Sequence, residues 1–475
     1  MTVALGLSLL VSAAAGVVLL RLAWPRAAAA WPWPLGTALG TAFGVGLSSV
    51  LLYLWMLAFG PTRGFPLAES GLLGAVTIAA LMRGRMAPRP QPSPSPGERR
   101  SRLLYLLAGA AVVALIAAGA AFLANLQRQP HGEWDAWMNW DLRARMIFRG
   151  GGGWRTAFSG MIPWSHPDYP LMVQSLVVRS WLYAGGETLR GPALVAATFT
   201  FGTVALLVAA LAALRNLSQG LLAGLVLLST PFFIIHGTSF YGDVPVGFFF
   251  LATSVCLALD ARYGGATRRF GMLAGVAAGL AMWTKNEGLM FVPAVGAAIL
   301  LSGSVSSGWP AARRRLVAFA LGLFPMLLVA ASFKLHLAPR NDLLATLGVE
   351  RTIGRITDLK RYYLTLREYF THLATFGSNG FGSGTWLLLA YLLAMGIGRR
   401  AVDRVWMRMA AIVLALMLAG HFVVFVAMAY DLPRLLNSSL DRLLLQLWPS
   451  ALFLLFMVVR TPEEAGSTLL RADPS

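Results

Sequence analysis

Apolar segments of roughly 18 to 25 residues recur along this chain, the length a helix needs to cross ~30 Å of hydrocarbon. Backbone amides find no water there, so a spanning chain must be helical or a closed barrel. The two-residue alternation of barrel strands is absent. A mean hydropathy of +0.66 agrees. With 57% hydrophobic and only 12% charged residues, an ordinary soluble globule is excluded. The expected fold class is all-α, a polytopic transmembrane helical protein of about 13 spans.

The spans read at 2–22, 35–59, 67–82, 103–126, 190–214, 219–237, 243–260, 270–285, 288–303, 315–336, 381–398, 408–430 and 443–460. Arginines then orient them. They follow the first, third, fifth and seventh spans (Arg21, Arg83, Arg215, Arg262), precede the tenth (Arg313 to Arg315) and precede the twelfth (Arg399, Arg400). Basic connections stay cytoplasmic, which puts the N-terminus outside and the C-terminus inside. The connections 127–189, 238–242, 286–287, 337–380 and 431–442 then share the outer face.

The net charge of +19 is therefore a matter of topology. No basic, aromatic-interleaved module indicates nucleic acid. Only Lys285, Lys334 and Lys360 among the 39 basic residues are lysines, an arginine bias that points to a GC-rich bacterial genome and a bacterial cytoplasmic membrane. The single Cys256 excludes an internal disulfide and a cysteine metal site. Residues Met1 to Leu20 lack a basic leader and read as a retained span, not a cleaved signal.

Residues 1–83 form a three-span N-terminal extension, and 84–102, with Pro88, Pro90, Pro92, Pro94 and Pro96, a disordered cytoplasmic linker. The main body is 103–460, and 461–475 is a cytoplasmic tail. Residues 171–184 are expected to lie as an interfacial helix on the outer surface, although a further span there would invert all later topology.

Carboxylates number only 20, yet Glu133, Asp135 and Asp141 crowd into one connection. Beside a bilayer such groups must be solvated or paired, which marks them for chemistry. On a helix from Trp134 to Phe148, Asp135 and Asp141 lie roughly 120° apart at ~100° per residue, so only one faces a given cleft. An amphipathic interfacial helix without catalytic duty accounts for the same residues. His166-Pro167-Asp168-Tyr169-Pro170 is a rigid entry to the next helix, where Asp168 is either a cap or a functional group. Asp243 in Tyr241-Gly242-Asp243-Val244-Pro245 has the same two readings. In Trp283-Thr284-Lys285-Asn286-Glu287-Gly288, a lysine and a glutamate separate two spans with almost no loop. Lys285 either snorkels or meets a phosphate. Arg442 either pairs with Asp441 or grips a phosphate. The outer connection 337–380 is basic, as either a solvated face or a contact for an anion. No HExxH or CxxC metal motif occurs.

In order, Trp134-Asp135-Ala136-Trp137, His-Pro-x-Tyr-Pro, an Asp-x-Pro at a later span end and Thr-Lys-x-x-Gly resemble the GT-C fold glycosyltransferases. The resemblance is to the protein O-mannosyltransferases and the lipid A aminoarabinose transferase, over about residues 103 to 460. It implies an inverting enzyme that moves a sugar from a polyprenyl-phosphate donor to a glycan, lipid or protein acceptor outside the membrane. Residues 127–189 would be its outer catalytic loop. Asp135 matches the family's base, with Asp141 a further candidate because the usual Asp-Glu pair is Asp135-Ala136 here. Lys285 and Arg442 match residues near the donor phosphate. Asp243, His166, Asp168, Tyr169 and Glu287 fall at substrate-binding positions. No cofactor is implied, and no metal is demanded where fixed cations hold the leaving phosphate. A multi-span transporter or lipid flippase is the alternative, although its charges belong nearer the bilayer midplane.

Overall fold

Long runs of leucine, alanine and valine leave the backbone no hydrogen-bond partner but itself, and the described residues are mostly helical. The computed structural model describes residues 2–25, 31–82, 102–263, 268–306, 308–339, 349–376, 384–398, 404–462 and 464. Apart from Arg102, the expected linker 84–102 lies outside the described residues, as do 340–348, 377–380 and most of the tail.

The α-helices are α1 (Thr2–Ala23), α2 (Trp33–Phe59), α3 (Phe65–Met82), α4 (Arg102–Arg128), α5 (Asp141–Gly150), α6 (Met172–Ala184), α7 (Arg190–Leu214), α8 (Leu217–Leu228) and α9 (Pro231–Thr238). They continue with α10 (Asp243–Tyr263), α11 (Arg269–Thr284), α12 (Glu287–Ser306), α13 (Trp309–His336), α14 (Val349–Ile356), α15 (Leu359–Thr375), α16 (Gly384–Met395), α17 (Arg404–Ala427) and α18 (Leu432–Val458). Among the described residues eight are long and apolar enough to cross a membrane: α1, α2, α4, α7, α10, α13, α17 and α18. α8 and α9, bent by 66° at their junction, make a ninth if they act as one span. This is a multi-pass membrane protein. The other expected spans coincide with shorter helices. α11 has 16 residues and is buried along most of its length.

α10 is the axis of the bundle, with 94% of its apolar window buried. It packs on α7, α11, α17 and α18, while α4 lies at the periphery. α1 and α2 cross with backbones almost touching. A Cβ on Gly16 would lie 1.8 Å from the Gly40 carbonyl, so only glycine allows the approach.

The N-terminal helices pack into the body. The Trp283 indole donates to Ser49 Oγ at 3.0 Å, and Tyr53 Oη lies 3.0 Å from Ser332 Oγ. Glu69 on α3 accepts Arg179 Nε from α6 at 3.0 and 2.8 Å, and Arg179 Nη2 donates to the Ser8 carbonyl at 2.8 Å. The stretch 171–184, expected as an interfacial helix, is α6. α6 is buried from Met172 to Leu182 among α1, α2, α5 and α7, and its polar Gln174 and Arg179 are satisfied inside. Removing one partner of such a buried pair typically costs about 3–5 kcal/mol. Glu69→Ala should show that loss in detergent unfolding, and the double change Glu69→Leu with Arg179→Met should recover most of it.

The basic 337–380 connection has a partly structural explanation. Arg361 donates to the carbonyls of Phe425, Val426 and Met428 at 3.1, 2.8 and 2.8 Å, and Arg355 to that of Ala427 at 3.4 Å. Both close the unpaired C-terminal carbonyls of α17.

Candidate functional site

Between α11 and α12 the chain turns back with almost no loop. Lys285 is extended (φ −154°, ψ 155°), and Glu287 already begins the next helix. A Cβ on Gly288 would sit 2.4 Å from the Met282 backbone, so the turn is tied to glycine there. Held in this way, Lys285 points into the bundle. Its Nζ donates to Asp243 Oδ1 at 2.9 Å and to Glu287 Oε1 at 2.6 Å.

Asp243 opens α10 and is fully buried. Its carboxylate does not serve as a helix cap, because both oxygens are taken by other helices. Oδ1 accepts Lys285 at 2.9 Å and Gln446 Nε2 at 2.7 Å. Oδ2 accepts Arg442 Nε at 3.2 Å and Nη2 at 2.9 Å. Charge-assisted bonds of this kind satisfy a carboxylate that would otherwise be very costly to bury. Arg442 and Gln446, one turn apart on α18, present the same face to α10.

Arg442 Nη2 also reaches Asp135 Oδ2 at 2.8 Å, and that side chain is 33% exposed. Tyr241 holds both partners. Its ring lies 4.6 Å from the guanidinium carbon, and its hydroxyl accepts the Asp135 backbone N–H at 3.3 Å. Burial chiefly pushes the Tyr241 phenol up to about 12, so it stays neutral.

A second polar group adjoins the first through Asn286. Asn286 Nδ2 donates to Asp168 Oδ2 at 2.8 Å, and Lys334 Nζ donates to Asn286 Oδ1 at 2.8 Å and to the Asp168 carbonyl at 2.5 Å. Here too the cap reading gives way, since Leu171 is the N-terminal boundary residue of α6. Tyr169 packs on Trp140 at 5.6 Å and on His166 at 5.1 Å between ring centroids. His166 holds a left-handed backbone (φ 45°), uncommon for a residue with a side chain.

Asp141 goes elsewhere. Ala136–Trp140 form a π-helical turn, whose wider i→i+5 spacing changes the rotation that an α-helix would give between Asp135 and Asp141. Asp141 is buried beside a small cavity lined by Val173, Val177, Phe240, Tyr241 and Val244, and its Oδ2 has no hydrogen-bond partner. Burial, opposed by Arg145, raises its carboxyl from 3.8 to about 7. The folded chain therefore holds a proton there that the unfolded chain releases near pH 3.8. Stability contributed by this group is complete below that value and declines as pH rises to about 7. Asp141→Asn should flatten that part of the profile and exceed the parent above pH 7; unfolding midpoints across the range check this, and an unchanged slope refutes it.

The structure thus joins Asp135, Asp243, Lys285, Glu287 and Arg442 in one network, with Asp168, Tyr169 and His166 beside it. It leaves Asp141 out. Sequence reasoning missed Gln446, Tyr241, Asn286 and Lys334. The available signal was Gln446 four residues after Arg442 in an apolar helix, and Lys334 near the end of a span. Among the described residues, no three His, Cys, Asp or Glu side chains are grouped to hold a metal ion.

No protein-family model, curated protein or solved structure matches this chain.

Proposed function

We propose that the chain is an inverting glycosyltransferase of the GT-C kind, with its site at the outer face of a bacterial cytoplasmic membrane. It moves a sugar from a polyprenyl-phosphate donor to a hydroxyl of a glycan, lipid or protein acceptor. One observation carries the reading: a partly exposed carboxylate, Asp135, beside cations fixed by a buried anchor. Asp135 touches Arg442 at 2.8 Å, and Asp243 ties Arg442 to Lys285 through contacts of 2.9 Å each.

That pairing suits the chemistry. The acceptor oxygen bonds to the anomeric carbon as the bond from that carbon to the phosphate oxygen breaks on the opposite face. The electron pair leaves with the phosphate, and the acceptor proton passes to Asp135. Arg442 and Lys285, already oriented, stabilise the growing charge. Asp243, Glu287 and Gln446 hold those cations in place. Asp168, Tyr169 and His166 shape the adjoining wall. No step calls for a metal or another cofactor.

The test is to incubate the purified chain with a panel of polyprenyl-phosphate sugars and lipid, glycan or peptide acceptors, reading products by mass spectrometry. A sugar-sized mass gain on an acceptor supports the reading; none across the panel counts against it. One feature favours transport instead, the 66° break between α8 and α9. Broken helices serve transporters when they frame a midplane site. Movement of labelled lipid or glycolipid across proteoliposomes without transfer would favour that class.

A further inference from the structure

The ionic network has three carboxylates, Asp135, Asp243 and Glu287, against two cations, Lys285 and Arg442. A phosphate brought to Arg442 adds negative charge in a partly buried place, where like charges repel several-fold more strongly than in water. One carboxylate must yield, and the three are unequal. Asp243 is fully buried and takes contacts from Lys285, Gln446 and two nitrogens of Arg442. Removing it would leave each of two cations with a single carboxylate. Glu287 takes Lys285 at 2.6 Å and Gln446 at 3.2 Å. Asp135 has one ion-pair partner, Arg442, and is the most exposed of the three.

We propose that Asp135 and the phosphate of a lipid carrier are alternative ligands of Arg442, and that the phosphate displaces the carboxylate. This rests on the glycosyltransferase reading and adds an order to it. The donor binds first, and its arrival frees the base for the acceptor. Arg442 is built for the exchange. Nε and Nη2 hold Asp243, while Nη1 meets no acceptor among the described residues. The phosphate can therefore engage Nη1 before Nη2 releases Asp135. Tyr241 gives both a fixed seat, with its ring on the guanidinium and its hydroxyl on the Asp135 amide. The Asp135 backbone stays put while its carboxylate swings.

Undecaprenyl monophosphate, a carrier without sugar, is the probe. Its binding to the full chain in nanodiscs is followed by quenching of tryptophan fluorescence, with Trp134 and Trp137 flanking the position. A competing ligand lowers apparent affinity by the fraction of sites it occupies, so an Asp135 bound about nine-tenths of the time predicts roughly tenfold tighter binding in Asp135→Asn. Asp135→Glu, which keeps a competing carboxylate, should remain near the parent. Glu133→Gln removes the same charge two residues away without an Arg442 contact and should shift affinity far less. Asp135→Ala replaces Asp135→Asn if the latter fails to fold. Unchanged or weaker binding in Asp135→Asn, or equal tightening in Glu133→Gln, overturns the exchange and leaves the transferase reading standing. A parent chain that binds no carrier sinks both.

Discussion

Asp243→Ala is expected to unfold the ionic end of the bundle and abolish sugar transfer. The variant leaves Lys285 and Arg442 in the interior with one fewer carboxylate and removes the nearer of two acceptors of Gln446. Uncompensated charges in such a place cost about 3–5 kcal/mol, a large part of a typical folding free energy. Asp243→Asn should be milder in stability, because the amide oxygen still accepts from one cation. It should be nearly as damaging to activity, since Arg442 then has Asp135 as its only carboxylate partner. Unfolding in detergent, run beside the transfer assay, separates the two effects. An Asp243→Ala chain within about 1 kcal/mol of the parent would mean that the network is not the anchor, because surface changes fall in that range.

This prediction turns on pairings that the sequence does not disclose. Apolar runs made the helices legible, since lipid leaves them no alternative backbone structure. They also made Lys285, Glu287 and Arg442 conspicuous, as ionisable residues at the ends of such runs. Whether Asp243 capped its own helix or served others could not be read. Its partners lie 42 and 199 residues away. Arg179 posed the same difficulty: the mate that makes it an interior residue is Glu69, 110 residues upstream. Asp135 and Asp141 differ in kind. Their relative facing follows from the helix type between them, and the sequence Ala136-Trp137-Met138-Asn139-Trp140 carries no mark of a π-turn. Apolar length alone does not separate a span from a buried helix: α11, packed between α10 and α13, has 16 residues and is buried along most of its length.

That π-turn makes the two aspartates a controlled comparison. Asp135→Asn should retain the fold, since the side chain is partly exposed and an amide can still accept from Arg442. It should lose transfer by about 10²–10⁴-fold, the usual contribution of a positioned base, because an amide cannot take the acceptor proton. Asp141→Asn changes a carboxyl that is already protonated over much of the range below about pH 7, so its rate should stay within a few-fold of the parent. The kinetic form matters as much as the size. If the phosphate competes with Asp135 for Arg442, the Asp135→Asn chain should combine a much lower kcat with a lower donor KM, the mark of a group used in the transition state that also competes with the donor. A higher donor KM with kcat preserved would make Asp135 a binding residue, and a full rate in Asp135→Asn together with a collapse in Asp141→Asn would move the base into the buried cavity.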